Sequence, residues 1–344
     1  DSGTIYYYVS APNHVAQRGS VQITIDPAAL TLTAKDASVV YGEDFTADTS
    51  INSYTVQIDG SAEDTLLGSD TKESVFGSFV PSYQAYIAEG DTYNAGDGVT
   101  ESGYIAFDCS TPQLDNYTVT LQSGSFTVSP RAITVEIGSV PNANYGAVLN
   151  ATDLSVTGIQ ATNGTGDGVI AGDLVQDETT GYAKYANVFT LVVKNAEGVE
   201  QTLGTALSVG VYTIEGVAGG SRTANYTITF VSGSYSVGQS TLQVVVTGAS
   251  SAVYDGAAHG YTVSVSGVND AVVNYTVKYT DSEGEDIEGQ PVDAGTYTLH
   301  IETEDPNYAP YTYTTEFTIT PRPITVEWDV PTLVYNGEDQ LSEV

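Results

Sequence analysis

Beside its carboxylates and hydroxyls, three histidines, one cysteine and five lysines are the side chains in this sequence whose types could support catalysis, metal binding or a covalent cross-link. Nucleophilic catalysis needs a histidine beside a serine or cysteine, or two carboxyl groups whose pKa values are pushed apart. His14, His259 and His300 stand far apart at unrelated places, and His300 falls on the polar side of an alternating strand pattern. They read as surface residues. Cys109 has no second cysteine to pair with and no histidine beside it, so it reads as a structural thiol, with an intermolecular disulfide or a reactive thiol as the alternative. No phosphate-cradling glycine loop, zinc-ligand spacing or nucleophile elbow is present. The sequence predicts no enzyme, and no catalytic, cofactor-binding or metal residue.

Four softer signals remain. "DSEGEDIEG" at Asp281–Gly289 and "GTGDGVIAGD" at Gly164–Asp173 are acidic enough for calcium, but neither has the twelve-residue ligand spacing of a helix–loop–helix site, and both read as solvated loops. A lysine cross-link would need a buried lysine beside a carboxylic acid. Lys35, Lys72, Lys184, Lys194 and Lys278 sit in loop-like sequence or on polar strand faces, so solvated lysines are expected. "NYT" at Asn116, Asn225 and Asn274 fits a glycosylation sequon and equally a strand start; the strand reading is preferred. Of the 25 tyrosines, several lie outside the alternating stripes (Tyr6, Tyr8, Tyr83, Tyr86, Tyr93, Tyr182, Tyr185) and could line a sugar-binding surface, against core or loop packing as the plainer reading.

The elements that carry these residues are β-strands. "NYTVTLQSGSFTV" at Asn116–Val128 returns as "NYTITFVSGSYSV" at Asn225–Val237, and related stretches begin at Asn13 and Asn307. Within it Tyr117, Val119 and Leu121 alternate up to a Ser-Gly pair, and Phe126 and Val128 alternate after it, which predicts two strands joined by a tight turn or bulge. "GTYTLHIE" puts Tyr297, Leu299 and Ile301 on one face, and "NYTVKYT" does the same for Tyr275, Val277 and Tyr279. Helical periodicity is scarce; Asp64–Ser74 and Ala171–Glu178 could each hold a short turn.

After each copy comes a joint and a new alternating run: "ALTLTA" from Ala29, "AITVEI" from Ala132, "TLQVVV" from Thr241, "PITVEW" from Pro323. A tyrosine beside a turn follows, at Tyr41, Tyr145, Tyr254 and Tyr335, with steps of 104, 109 and 81 residues. Such periods mean successive domains and not a solenoid, whose repeats run about 20–50 residues. The expected layout is 1–26 as the last strands of a truncated module, 27–129, 130–238 and 239–320 as complete modules, and 321–344 as the first strand of another. Asp26-Pro27, Ser129-Pro130 and Thr320-Pro321 lead directly from strand to strand, and proline holds such a joint extended. The Gly238-Gln239 joint lacks the proline, so the largest bend is expected there.

"AVYDGAAHGYTVSVSG", "DAGTYTLHIETEDPNYAPYTYTTEFTITPRPITVEW" and "LVYNGEDQ" resemble the MBG (mostly β-grasp) and YDG-type modules that occur in tandem in large bacterial cell-surface adhesins. The resemblance is closest over 239–344 and covers the ends of the other modules. It implies an all-β chain of β-grasp-like or Ig-like modules set end to end as a rod, and carries no shared ligand motif.

Composition narrows the partners. Nine Lys and Arg against 43 Asp and Glu give a net charge of −34, which repels nucleic acid and anionic lipid. No apolar run reaches the roughly 18–20 residues of a membrane span, so no membrane insertion is expected in this segment. Extracellular placement, on a bacterial surface or secreted, follows from the resemblance and from the scarcity of tryptic sites. Three functions stay open: a stalk holding a distal binding region; modules whose loops at 60–100 and 160–200 bind host glycans, mucin or a surface protein; and head-to-tail self-association in which the partial modules complete each other by strand addition.

Overall fold

The computed structural model describes residues 2–166, 168–175, 181–328, 332 and 334–338. They fall into two compact units, 1–140 with 150–203 and 212–235, and 141–149 with 204–211 and 236–344. The chain is all-β: several sheets, one five-residue α-helix at Lys72–Phe76 and a handful of single 3-10 turns among the described residues.

Residues 27–129, the first of the expected modules, show the construction. One sheet has three strands, with Ala28–Ala34 in the centre, Tyr54–Ile58 antiparallel on one side and Tyr117–Gln122 parallel on the other. The other has five strands, in which Gly124–Ser129 lies between Ala37–Val40 and Thr100–Phe107, with Tyr83–Ala88 and Asp91–Thr92 beyond. Alternation puts Leu30, Leu32 and Ala34 of the first sheet and Phe126 and Val128 of the second into the interior, all 2% exposed or less. Phe76 from the helix and Tyr54 close the space between the sheets in an edge-to-face contact of 6.0 Å.

The expected tight turn or bulge inside the repeated motif is a crossing between sheets and not a hairpin. Residues 117–122 and 124–129 belong to different sheets, and so do 28–34 and 37–40. Both segments pass from one sheet to the other side by side, keeping a constant separation of 89 residues from Ala28 opposite Tyr117 to Val40 opposite Ser129. Gly124 marks the crossing. A Cβ there would collide with the Ala34 carbonyl oxygen, and Gly233 meets Gly138 in the same way, so the motif needs glycine for close backbone approach.

The same parallel pairing recurs. Arg131–Ile137 runs parallel to Tyr226–Val231 and antiparallel to Val156–Ala161, and Ala143–Asn144 runs parallel to Val237–Gly238. In the module at 239–320, Ser251–Val253 pairs in parallel with the end of Thr312–Thr320, which borders Gly295–Thr303 and, beyond it, Tyr275–Thr280. Tyr297, Leu299 and Ile301 are buried as their alternation predicts. Tyr275 and Val277 are not: they are 38% and 41% exposed, and of that stripe only Tyr279 reaches the core.

Residues 2–9 and 17–24 form an antiparallel hairpin ahead of the first module, exposed along nearly its whole length. At the other end, 321–328 lie outside any strand and are exposed, and the remainder of the expected strand falls partly outside the described residues. The expected turn at Ala171–Glu178 is a 3-10 turn over Ala171–Asp173, its later residues lying outside the described set.

Candidate functional site at the joints

The side chains singled out for chemistry are dispersed. His14 Nδ1 lies 2.9 Å from the Pro12 carbonyl oxygen, His259 Nε2 lies 2.8 Å from Asp255 Oδ1, and His300 Nε2 lies 3.0 Å from Thr280 Oγ1. Cys109 is half-buried and unpaired. No group of three or more His, Cys, Asp or Glu suited to a metal ion occurs among the described residues. Lys194 reaches Glu215 at 2.7 Å and Lys278 reaches Asp286 at 3.2 Å on partly exposed faces. Lys72 departs from the solvated reading. Its ammonium donates to the Tyr54 carbonyl, pairs with Asp64 at 3.3 Å and sits 4.6 Å over the Tyr54 ring, because the short helix turns it inward.

The polar groups that do converge lie around Pro130, within the first unit, and around Gln239, within the second. Around Pro130, Tyr41 of the first module is 1% exposed, and its hydroxyl donates to both oxygens of Asp173 at 2.9 Å. Tyr226 donates to Asp173 Oδ2 at 2.5 Å, and its own hydroxyl oxygen accepts the Ile170 N–H at 3.0 Å. The Arg222 guanidinium approaches the same carboxylate at 3.4 Å, and the two tyrosine rings meet edge to face at 5.5 Å. Burial first, and then the hydrogen bond to Asp173, push the Tyr41 hydroxyl up to about 12; the same two causes raise Tyr226.

Arg131, the residue after the proline, is 2% exposed. It donates to the carbonyls of Gly168 at 3.1 Å, Thr165 at 2.6 Å, Gly166 at 3.0 Å and Tyr41 at 3.4 Å. A guanidinium suits this position because its fixed fork can serve several carbonyls at once. Asn225 Oδ1 accepts the Val99 N–H at 3.1 Å, which ties the first module's strand entry to the second module's motif. Gly42, with φ at +86°, sits under the Ile170 side chain; any Cβ would strike it.

The joint around Gln239 repeats this arrangement with different chemistry. Tyr145 and Tyr308 meet edge to face at 5.4 Å, Tyr308 accepts the Val268 N–H at 3.1 Å, and Asn307 Oδ1 accepts the Val209 N–H at 3.0 Å. Val268 packs over Gly146 as Ile170 does over Gly42. Ser240 takes the place of Arg131 and donates to the Tyr145 carbonyl at 2.6 Å. The guanidinium of Arg131 gives way here to the hydroxyl of Ser240.

This geometry bears on several expectations, and revises the solvated reading of Gly164–Asp173. Asn225 of the sequon is 7% exposed and holds the joint. The acidic loop at Gly164–Asp173 supplies carbonyls to Arg131 and its last carboxylate to two tyrosines; Asp167 lies outside the described residues. Among the tyrosines outside the stripes, Tyr93 is buried and donates to the Glu43 carbonyl at 2.5 Å, Tyr86 stacks on Tyr104 at 4.7 Å, and Tyr185 stacks on Phe189 at 5.1 Å. Tyr6 and Tyr8 are exposed on the hairpin. Sequence reasoning missed Arg131 and the paired role of Asn and Tyr. The available signal was the Pro-Arg pair at 130–131 and again at 321–322, in a chain with so few cations.

No protein-family profile matches the chain, and no curated protein matches it. Among solved structures, a tetra-tandem repeat in the extending region of a large adhesion protein is 14% identical, over 92% of this chain and 81% of that one, with a TM-score of 0.33. Cadherin domains 1–4 of protocadherin gamma B7 are 10% identical over 93% and 83%, with a TM-score of 0.25. Immunoglobulin domains 1–5 of Sidekick-1 are 10% identical over 94% of this chain and 66% of that one, with a TM-score of 0.23. Scores this low leave the functional reading to the joints.

Proposed function

We propose that this chain is a non-enzymatic structural segment of a large bacterial surface or secreted adhesin, a stalk that projects a distal binding region. The observation that carries this reading is the repeated joint. Twice, a tyrosine beside a Tyr-Gly turn is covered by the Asn-Tyr end of the following module, with backbone hydrogen bonds capped across the boundary. A flexible tether would have no need of a buried arginine or a buried carboxylate at its linker. Joints of this kind suit a part whose work is to hold distance.

Small-angle scattering with light scattering tests it. Strands of up to ten residues rising about 3.3 Å each give roughly 100–150 Å for three modules end to end. An elongated monomer of that length is expected, and a compact particle overturns the proposal.

A second reading has one observation behind it. In the first module an open cleft is lined by Lys35, Asp44, Asp48, Asn52 and Tyr83, a mixture of carboxylates, amide and aromatic ring that suits a sugar. Binding of host glycans or mucin there would show on a glycan array with wild-type chain and vanish with Tyr83→Ala. A silent array with folded protein removes this reading.

A further inference from the structure

The face of the first module that looks toward Pro27 carries the same groups that close the two joints. Tyr117 accepts the Leu67 N–H at 3.3 Å, as Tyr226 accepts that of Ile170 and Tyr308 that of Val268. Tyr117 donates to Asp70 Oδ2 at 2.8 Å, as Tyr226 donates to Asp173. Asn116 stands where Asn225 and Asn307 stand. The difference lies in what covers them. Leu67, the counterpart of the residues that lie over Gly42 and Gly146, is 54% exposed. A groove runs between it and the end of the hairpin, lined by Ile25, Asp26, Ala28, Leu67, Asp70 and Tyr117. That lining is the set of positions that surrounds Tyr41 in the Pro130 joint.

We infer that this groove is a socket for a Tyr-Gly turn, supplied by a β-module that precedes Pro27 in the same polypeptide and whose last two strands are the hairpin of residues 2–24. The tyrosine ring would lie edge-on to Tyr117, its hydroxyl would donate to Asp70 as Tyr41 does to Asp173, and Leu67 would close over the glycine. Continuity with the observed joints supports the occupant. The hairpin ends at Pro27 in the position that Gly124–Ser129 holds before Pro130, and a Tyr-Gly turn is what pairs beside that strand in the first module. The partner must have glycine after its tyrosine, because Ile170 and Val268 leave no space for a Cβ at Gly42 and Gly146. This inference stands on joint geometry alone. A compact particle in scattering would sink the stalk reading and leave the socket in place.

The test places a Tyr-Gly turn before a second copy of Pro27, by a new junction between two segments of this chain. A chain is made in which residues 1–238 are followed directly by 27–344, so that Tyr145 and Gly146 of the inserted copy precede a second copy of Leu67. Hydroxyl-radical oxidation of the Leu67 peptide is read by mass spectrometry in both chains. The expected result is a fall in oxidation to about half of the parent value, since one of two copies becomes covered, and a return toward the parent value with Tyr145→Ala in the copy before the new joint. Oxidation unchanged in the longer chain overturns the inference. So does protection of Leu67 in the parent chain that grows with protein concentration, which would assign the groove to a second copy.

Discussion

The hydroxyl of Tyr41 donates to both carboxylate oxygens of Asp173, 132 residues further along the chain and in the same compact unit. Asp173 is 2% exposed and also receives Tyr226 and faces Arg222, so a single carboxylate gathers side chains from both sides of the joint. Buried carboxylates are tolerated only when hydrogen-bonded and charge-compensated, and this one is both.

Asp173→Ala should therefore cost about 2–5 kcal/mol in chemical unfolding, because it leaves two buried tyrosine hydroxyls without their acceptor. Tyr41→Phe alone should cost only ~1 kcal/mol, since Asp173 keeps Tyr226 and Arg222. The two phenylalanine variants, Tyr41→Phe and Tyr226→Phe, should be coupled by roughly 0.5–3 kcal/mol in a double-mutant cycle. Strict additivity would mean that the carboxylate does not join them.

Arg131 should tolerate neither serine nor lysine. Arg131→Ser leaves loop carbonyls unmet at a cost of about 1–3 kcal/mol, and lysine, a point charge on a flexible stem, should recover little of it. Introducing arginine at the Gln239 joint, as Ser240→Arg, should destabilise, because Ser240 is buried and bonded to the Tyr145 carbonyl, so a much larger side chain must displace its neighbours. Denaturant midpoints of the three variants decide this.

Asn225→Ala removes the acceptor of the Val99 N–H. Amide exchange at Val99 should speed up by about fivefold, matching the ~1 kcal/mol of one lost hydrogen bond, with exchange in the strand Ala28–Ala34 unchanged. A uniform rise across the module would show a global effect and not a local cap.

High pH should open the first joint. Tyr41 is raised to about 12 and Tyr226 is raised as well, from an unfolded value near 10. Between those values the unfolded chain has lost protons that the folded chain retains, so folding stability is full below about pH 10 and falls as pH rises toward 12. The tyrosinate absorbance of the buried tyrosines, Tyr54 and Tyr93 as well as this pair, should then appear together with unfolding. Titration of all tyrosines in one reversible phase would contradict the buried cluster.

Much of the fold was legible because period-2 alternation survives where one strand face is buried, as at Tyr297, Leu299 and Ile301. It misled at Tyr275 and Val277, where the pattern persists on an exposed face. The Ser-Gly pair looked like a hairpin turn because a crossing between sheets and a reversal of direction both call for glycine. The joint was the least legible part. Asp173 lies in a glycine-rich loop with the composition of a solvated segment, and Tyr41 can be read from sequence only as a residue beside a turn. What brings them together is the parallel entry and exit of the chain, which no local pattern reports.

That parallel geometry has a mechanical meaning. In the first module the chain enters along 28–40 and leaves along 117–129, two segments that run side by side in the same direction. A pull applied at Pro27 and at Ser129 therefore drags these segments past each other lengthwise. The ladder between them is loaded all at once, in shear, and cannot be peeled open bond by bond as a hairpin can. Each such module is built to resist tension along the line of the chain.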